Sequence, residues 1–350
     1  MHSVRRRSPN ASRISRFSVG GYNKFSVKWG ARALSGSDKP SELFARHLGF
    51  LFFLLVSAFF FWTPLRNLIS FSLTHDYGSH IIFIVPISAY LIYLKRDEIF
   101  PKVQSSRLAG SVLLLAGAIL SWLAEKRFAE KHSPSLEGNY FSLLILAMVT
   151  IWISGFIFCY GTGAFRAASF PLLFLVLLVP IPEFLIEKII FLLQAGSAAV
   201  AYGLLRLLQV PVFKQGFFLH LPTLNIEVAK ECSGIRSSLA LLITTLLVGE
   251  FALRSGWRRL IFVLSTVPVL ILKNGVRITA ICLLSIYVDR RFLYGWLHTS
   301  GGIVFYLLGL AILVPILTAL RRSEEKTISS AASAMPRTEA VTAGQNSRQK

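Results

Sequence analysis

Leu224-Asn225-Ile226-Glu227-Val228-Ala229 alternates apolar and polar side chains, and Lys230-Glu231-Cys232-Ser233-Gly234-Ile235-Arg236-Ser237-Ser238 then leads into an apolar run over 239–253. A period of two predicts a strand, and a long apolar run opened by small polar residues predicts a helix. Upstream, Gly216 separates Val212-Phe213 from Phe217-Phe218-Leu219-His220-Leu221. The spacing predicts a short β-hairpin within 209–233. Cys232 then stands at a strand-to-helix junction, at the N-terminus of a helix.

Apolar runs like 239–253 recur along the chain. Of its 350 residues 54% are hydrophobic and 15% charged, whereas a soluble domain carries about 25% charged residues. With 24 Gly, 14 Pro and 3 Cys, neither a collagen-like chain nor a disulfide scaffold fits. A membrane-crossing helix needs about 20 apolar residues. Candidate segments are 48–72, 80–94, 108–124, 140–160, 166–181, 184–208, 235–253, 258–288 and 301–320. The fold class expected is an all-α polytopic membrane protein.

The net charge of +20 reports orientation, because cytoplasmic segments collect Lys and Arg. Residues 1–47 carry ten Lys/Arg against Asp38 and Glu42, and 321–350 carry six against three acids. Both are expected to be disordered and cytoplasmic, flanking a membrane domain over 48–320. The arm suits anionic lipid headgroups; no nucleic-acid partner is expected. Two inside termini require an even number of crossings. The segment 166–181, bracketed by Pro171, Pro180 and Pro182, is expected to be re-entrant, which a membrane tolerates when the backbone is buried in protein. About eight transmembrane helices remain.

Orientation then gathers three residues. Arg277 lies 19 residues beyond Arg258, about 28 Å along a helix, and so near the outer face. The loop before 301–320 carries His298, also outside, and Cys232 ends the outer loop 209–233. A helix N-terminus exposes N–H groups and a partial positive charge; both favour the thiolate, the reactive form of cysteine. The N–H groups of Ser233 and Gly234 suit an oxyanion. Arg stays charged and presents a planar fork of donors, and an Arg within an apolar helix is a functional hypothesis by default. Asn274 is placed to orient Arg277 from one turn away. Arg236, Gln194 and His80 are further candidates for the substrate site, with interhelical hydrogen bonding the other and favoured reading of Gln194. Cys159 and Cys282 fall within apolar helices and read as packing.

These residues carry a resemblance. Ile226 to Ser237, centred on Cys232, resembles the nucleophile motif of the exosortase/archaeosortase family. Asn274-Gly275-Val276-Arg277 resembles its second motif, and His298 with Gly301-Gly302 its third. Asp76-Tyr77-Gly78-Ser79-His80 resembles the family's early Tyr-Ser-His-Gly signature, but Gly78 intervenes and Ile81 stands where Gly is usual. The resemblance covers roughly 48–320. It implies a membrane cysteine transpeptidase or protease with a Cys232, Arg277, His298 triad and no cofactor or metal. Its partners would be exported proteins whose C-terminal sorting signal, of the PEP-CTERM kind, comprises a motif, a transmembrane helix and a basic tail. It also implies the bacterial inner membrane, an active site on the extracytoplasmic face, and an association with exopolysaccharide synthesis.

Two other classes are compatible with the residues. A metal-dependent hydrolase would use His75, Asp76 and His80, but no His-Glu-x-x-His run occurs. A transporter or flippase for polysaccharide or lipid intermediates would use the broken helices and the intramembrane Arg; wild-type transport by a Cys232→Ala variant would select it.

Overall fold

The computed structural model describes residues 40–75, 78–104, 106–128, 134–222, 224–228, 235–293 and 302–334. It is a helical bundle with one small sheet at one end. Among the described residues, six helices are long and apolar enough to cross a membrane.

The chain enters through α1 (Pro40–Phe60) and α2 (Trp62–Thr74). The predicted single segment 48–72 is therefore two helices, joined at Phe61. Pro64 supplies the reason: it has no N–H for Phe60 and crowds the preceding turn. The ladder resumes around the break, with Phe61 N–H to Ser57 O and Leu65 N–H to Phe61 O, both 2.9 Å. The helix also begins earlier than expected, so residues 40–47 do not belong to the arm. Pro40 suits the first helical position and Glu42 the first turn. Arg46 donates to the Cys159 carbonyl at 2.8 Å, and His47 Nδ1 pairs with the Tyr160 hydroxyl at 2.7 Å.

Helix α3 (Ile81–Leu94) runs back and ends at a short helix, α4 (Arg96–Ile99). Helices α5 (Arg107–Phe128) and α6 (Pro134–Ala167) form a close antiparallel hairpin. Near its end α6 bends at Gly161, where φ is +85°. The loop after α4 presses against the bend. Gln104 N–H bonds the Tyr160 carbonyl, and a Cβ at Gly161 would lie 1.5 Å from Gln104 O. Only glycine fits there on both counts.

The region expected to be re-entrant is a six-residue helix, α7 (Ser169–Phe174), followed by a 3₁₀ turn (Leu175–Leu178). Ten residues of helix reach about 15–20 Å, too little for a crossing of about 30 Å. Leu172, Phe174, Leu175 and Leu178 are buried. From α3, buried Ser88 donates to the Pro171 carbonyl at 2.7 Å.

Helix α8 (Glu183–Leu207) leads to the sheet; α9 (Ile235–Ala252), α10 (Gly256–Tyr287) and α11 (Gly302–Ala334) complete the bundle. The sheet has three antiparallel strands, β1 (Phe213–Gln215), β2 (Phe218–Leu221) and β3 (Leu224–Glu227), in the order β1-β2-β3. A meander thus replaces the predicted hairpin. Leu219 and Leu221 pack inward with Val210 and Val228 on α8 and α10. Phe213, Gln215, Phe218, Asn225 and Glu227 face outward. Helix α11 continues past residue 321 to Ala334, so the tail expected from 321 begins as helix. Residues 1–39 and 335–350 lie outside the described residues.

Ionic contacts fix the relative direction of the helices. Glu250 at the end of α9 takes Lys95 from the end of α3 and Arg259 from the start of α10. Both oxygens of Glu324, on α11, accept from the backbone between α9 and α10: Ser255 N–H at 2.6 Å and Arg254 N–H at 3.0 Å. The start of α1, the start of α5 and the end of α6 meet close by, through His47 against Phe100 and Ser106 with Thr162. This is the Glu250 end. Helix α8 runs parallel to α10, because Gly196 packs on Ile271 and Ser197 bonds Asn274. Its first residue, Glu183, therefore also points to the Glu250 end. So the α7 segment leaves and returns at one end, as a re-entrant segment must. Among the described residues the six helices long and apolar enough to cross are α1, α5, α6, α8, α10 and α11, against the eight expected; α3, at 14 residues, and α9 are not among them. Both described termini lie at the Glu250 end.

Candidate functional site

The other end, where the sheet sits, holds the described motif residues Asn274, Gly275, Val276 and Arg277. Three of the predicted site residues, Cys232, Ser233 and Gly234, lie outside the described residues, and so does His298. The elements flanking Cys232 are described: β3 closes at Glu227 and α9 opens at Ile235. The nucleophile motif thus joins a strand to a helix, as its periodicity predicts.

The end of β3 is held on both sides. Val228 N–H donates to Phe217 O at 3.0 Å. The Val228 carbonyl accepts from Gln194 Nε2, a buried side chain of α8. An amide buried in a helical bundle needs such a partner. One turn along α8, Ser197 Oγ accepts from Asn274 Nδ2 at 3.0 Å. Helix α10 comes this close because residue 275 is glycine: a Cβ there would stand 2.4 Å from Val200 Cγ1. The glycine of the Asn-Gly-Val-Arg motif is therefore a packing requirement, and its asparagine is a tie to α8. Gln194 and Asn274 together connect the end of the sheet to the helix bearing Arg277.

Lys273, next to Asn274, faces the other neighbours. It is 1% exposed. Its ammonium donates to Ser237 Oγ, in the first turn of α9, at 2.6 Å. Its stem runs beside Gly309 of α11. Helices α9 and α11 are also tied directly, Thr244 Oγ1 to the Tyr306 hydroxyl at 2.9 Å. Arg277, half-buried, lies one turn beyond Lys273 on α10. Two cations on one helix, one bonded to the opening turn of the next, form a positive site at a helix N-terminus that is itself positive. Such a site suits an anion.

Lys273 is the residue that the sequence reading misses. Its signal is the one that singled out Arg277, a charge inside an apolar helix, and it applies to both. Arg236, also in the first turn of α9, is exposed. His80 lies elsewhere, in the turn before α3. Burial pushes its imidazole pKa down, against the opposing effect of a hydrogen bond with the Leu177 backbone. It packs on the re-entrant segment. Cys282 is fully buried among the apolar residues beneath the sheet. Cys159 is half-buried, with its carbonyl taken by Arg46. Both fit packing.

The transmembrane exosortase family model matches residues 70–315, well over half of the 350-residue chain. The chain belongs to the transmembrane exosortase family. No curated protein and no solved structure matches it. The exosortases are a family of membrane cysteine peptidases and transpeptidases. The matched region takes in the re-entrant segment, the sheet and the four helices α8–α11 up to Pro315. It omits α1 and the polar end of α11.

Proposed function

We propose that this exosortase cleaves C-terminal sorting signals of exported proteins through a Cys232 thioester, with Arg277 and His298 completing the site. One observation carries the reading. Arg277 shares a helix with Lys273, and Lys273 is bonded to the opening turn of α9, the helix into which the Cys232 motif leads. A basic site at that point is what a thiolate and a developing oxyanion require.

In this mechanism the substrate's helical tail docks against the bundle, and its scissile peptide lies at the sheet end. The Cys232 thiolate attacks the carbonyl carbon. Arg277 and backbone N–H groups of residues 233 and 234 hold the oxyanion. The tetrahedral intermediate collapses as His298 gives a proton to the leaving amine, which departs and leaves a thioester. His298 then takes a proton from the acceptor, an amine or water, whose attack regenerates the thiolate. The substrate motif is of the PEP-CTERM kind, and the sheet end faces outward from the bacterial inner membrane.

The test is co-expression with a reporter ending in such a motif, a transmembrane helix and a basic cluster. Wild type is expected to shorten the reporter. Cys232→Ala, Arg277→Lys and His298→Ala are expected to leave it full length, while accumulating in the membrane as wild type does. Full processing by Cys232→Ala would overturn the assignment.

A further inference from the structure

The sheet at the site has an open edge. In an antiparallel pair, each residue directs its N–H and C=O to one side, and successive residues alternate sides. Val228 donates to Phe217, and the register pairs Leu219 with Ile226 and Leu221 with Leu224. Leu224, Ile226 and Val228 therefore face β2. Asn225 and Glu227 direct their N–H and C=O away from it, to the side where no described strand lies. Both residues are exposed, and among the described residues neither backbone has a hydrogen-bond partner on that side. On the opposite edge, β1 is a three-residue strand whose one outward-directed residue is Lys214. A short edge bearing a lysine is blunted against pairing. The β3 edge is one residue longer, directs two residues outward and bears no lysine, its one charge being Glu227; it leads to Cys232 five residues after Glu227.

We infer that the outer edge of β3, through the backbone of Asn225 and Glu227, binds the extended peptide that carries the scissile bond, as a fourth strand of the sheet. An unpaired strand edge is satisfied by another backbone in extended form. The occupant is a peptide because the family acts on peptides, and because the edge offers alternating donors and acceptors at the repeat of a strand. Fixation of the strand supports the same role. Gln194 and Phe217 hold Val228, so a peptide on this edge keeps one register relative to the start of α9. Main-chain pairing supplies affinity with little demand on side chains. Selection then falls to the exposed outer face, where Phe213 and Phe218 flank His220 and Asn225 Oδ1 pairs with His220 Nδ1 at 3.0 Å.

This inference rests on the proposed function, and the experiment separates the two. Proline removes one N–H and leaves the rest of the backbone in place. Asn225→Pro and Glu227→Pro each delete an outward N–H of the β3 edge, and Lys214→Pro deletes one from the β1 edge. Each is measured on the sorting-tail reporter with detergent-solubilised full-length enzyme. The two β3 variants are expected to raise KM about fivefold to tenfold, as the loss of one hydrogen bond would, with little change in kcat. Lys214→Pro is expected to match wild type. A proline scan of the reporter upstream of its motif is expected to show losses at every second residue. Wild-type KM in both β3 variants would overturn the docking. Equal loss in Lys214→Pro would overturn it too, by assigning the effect to sheet integrity, and so would a proline scan without the period of two. If instead Cys232→Ala processes the reporter, the proposed function has failed and not the docking alone.

Discussion

The two ends of the bundle treat charge in opposite ways. At the Glu250 end, buried carboxylates are surrounded by their counterions and by backbone N–H groups. Glu250 takes Lys95 and Arg259; Glu324 takes two N–H groups and lies 3.8 Å from Arg258. At the sheet end, the buried Lys273 is bonded to a neutral hydroxyl, with Arg277 one turn away. A charge taken from water is costly unless paired. Full pairing is what a structural junction needs, and it joins four helices here. A cation left with a hydroxyl is costly in the resting protein and is useful only when an anion arrives or forms. The same physics marks the Glu250 end as a joint and, under the proposed function, the sheet end as a site.

The largest test of this contrast lies at the joint. Glu250→Gln removes the carboxylate between two cations and leaves both without an anion. The expected loss of stability is about 3 kcal/mol, the lower end for a broken buried pair, because Lys95 and Arg259 keep partial exposure. Thermal melting in detergent measures it. Reporter processing is expected to fall only in proportion to the folded fraction. An unchanged melting temperature would remove the joint from the comparison.

Next in size is Gly275→Ala. Its new methyl would meet Val200 at 2.4 Å, an overpacking that costs about 1–3 kcal/mol. The helices must move apart, which pulls Asn274 from Ser197 and shifts Arg277. Processing is expected to fall further than stability alone explains. Val200→Ala in the same chain makes room, and recovery of both quantities is the expected result. Recovery of stability without processing would mean that Gly275 acts on more than the α8–α10 distance.

The long helices are legible because crossing a membrane demands about 20 apolar residues, a constraint that acts locally. The strand before Cys232 is legible for a similar reason, since a half-buried sheet imposes a period of two. What is not legible depends on partners far along the chain. Residues 40–47 read as an extension of the basic arm; their helix is secured by Cys159 and Tyr160, more than a hundred positions away. The tail beyond 321 reads as polar linker, yet Glu324 anchors it to the turn before α10. The third strand is hidden because β1 spans only three residues, too few for a period to show. Lys273 is hidden differently. Its signal is local, but Arg277, beside it in a recognisable motif, absorbs the same explanation. A hydrogen-bonding role for Gln194 is legible from an amide inside an apolar helix, but its partner, the Val228 carbonyl, is not, and neither is the tie of Asn274 to Ser197, because both partners lie far along the chain.

The smallest expected effect bears most directly on the contrast. Lys273→Met keeps the stem beside Gly309 and deletes the ammonium. If the sheet end is a site, the resting protein loses an expense and not a joint, so its melting temperature is expected to hold or rise. Processing is expected to fall about tenfold, equivalent to about 1.4 kcal/mol in the transition state. A cation near a thiol favours the thiolate, so the rising limb of the pH–rate profile is expected to move to higher pH in the variant, and the deficit to narrow as pH is raised. A tether that only spaced α9, α10 and α11 would show the reverse pattern: a lower melting temperature and a pH profile unchanged in shape. That outcome would make Lys273 a second Glu250, and the difference between the two ends would no longer be one of joint and site.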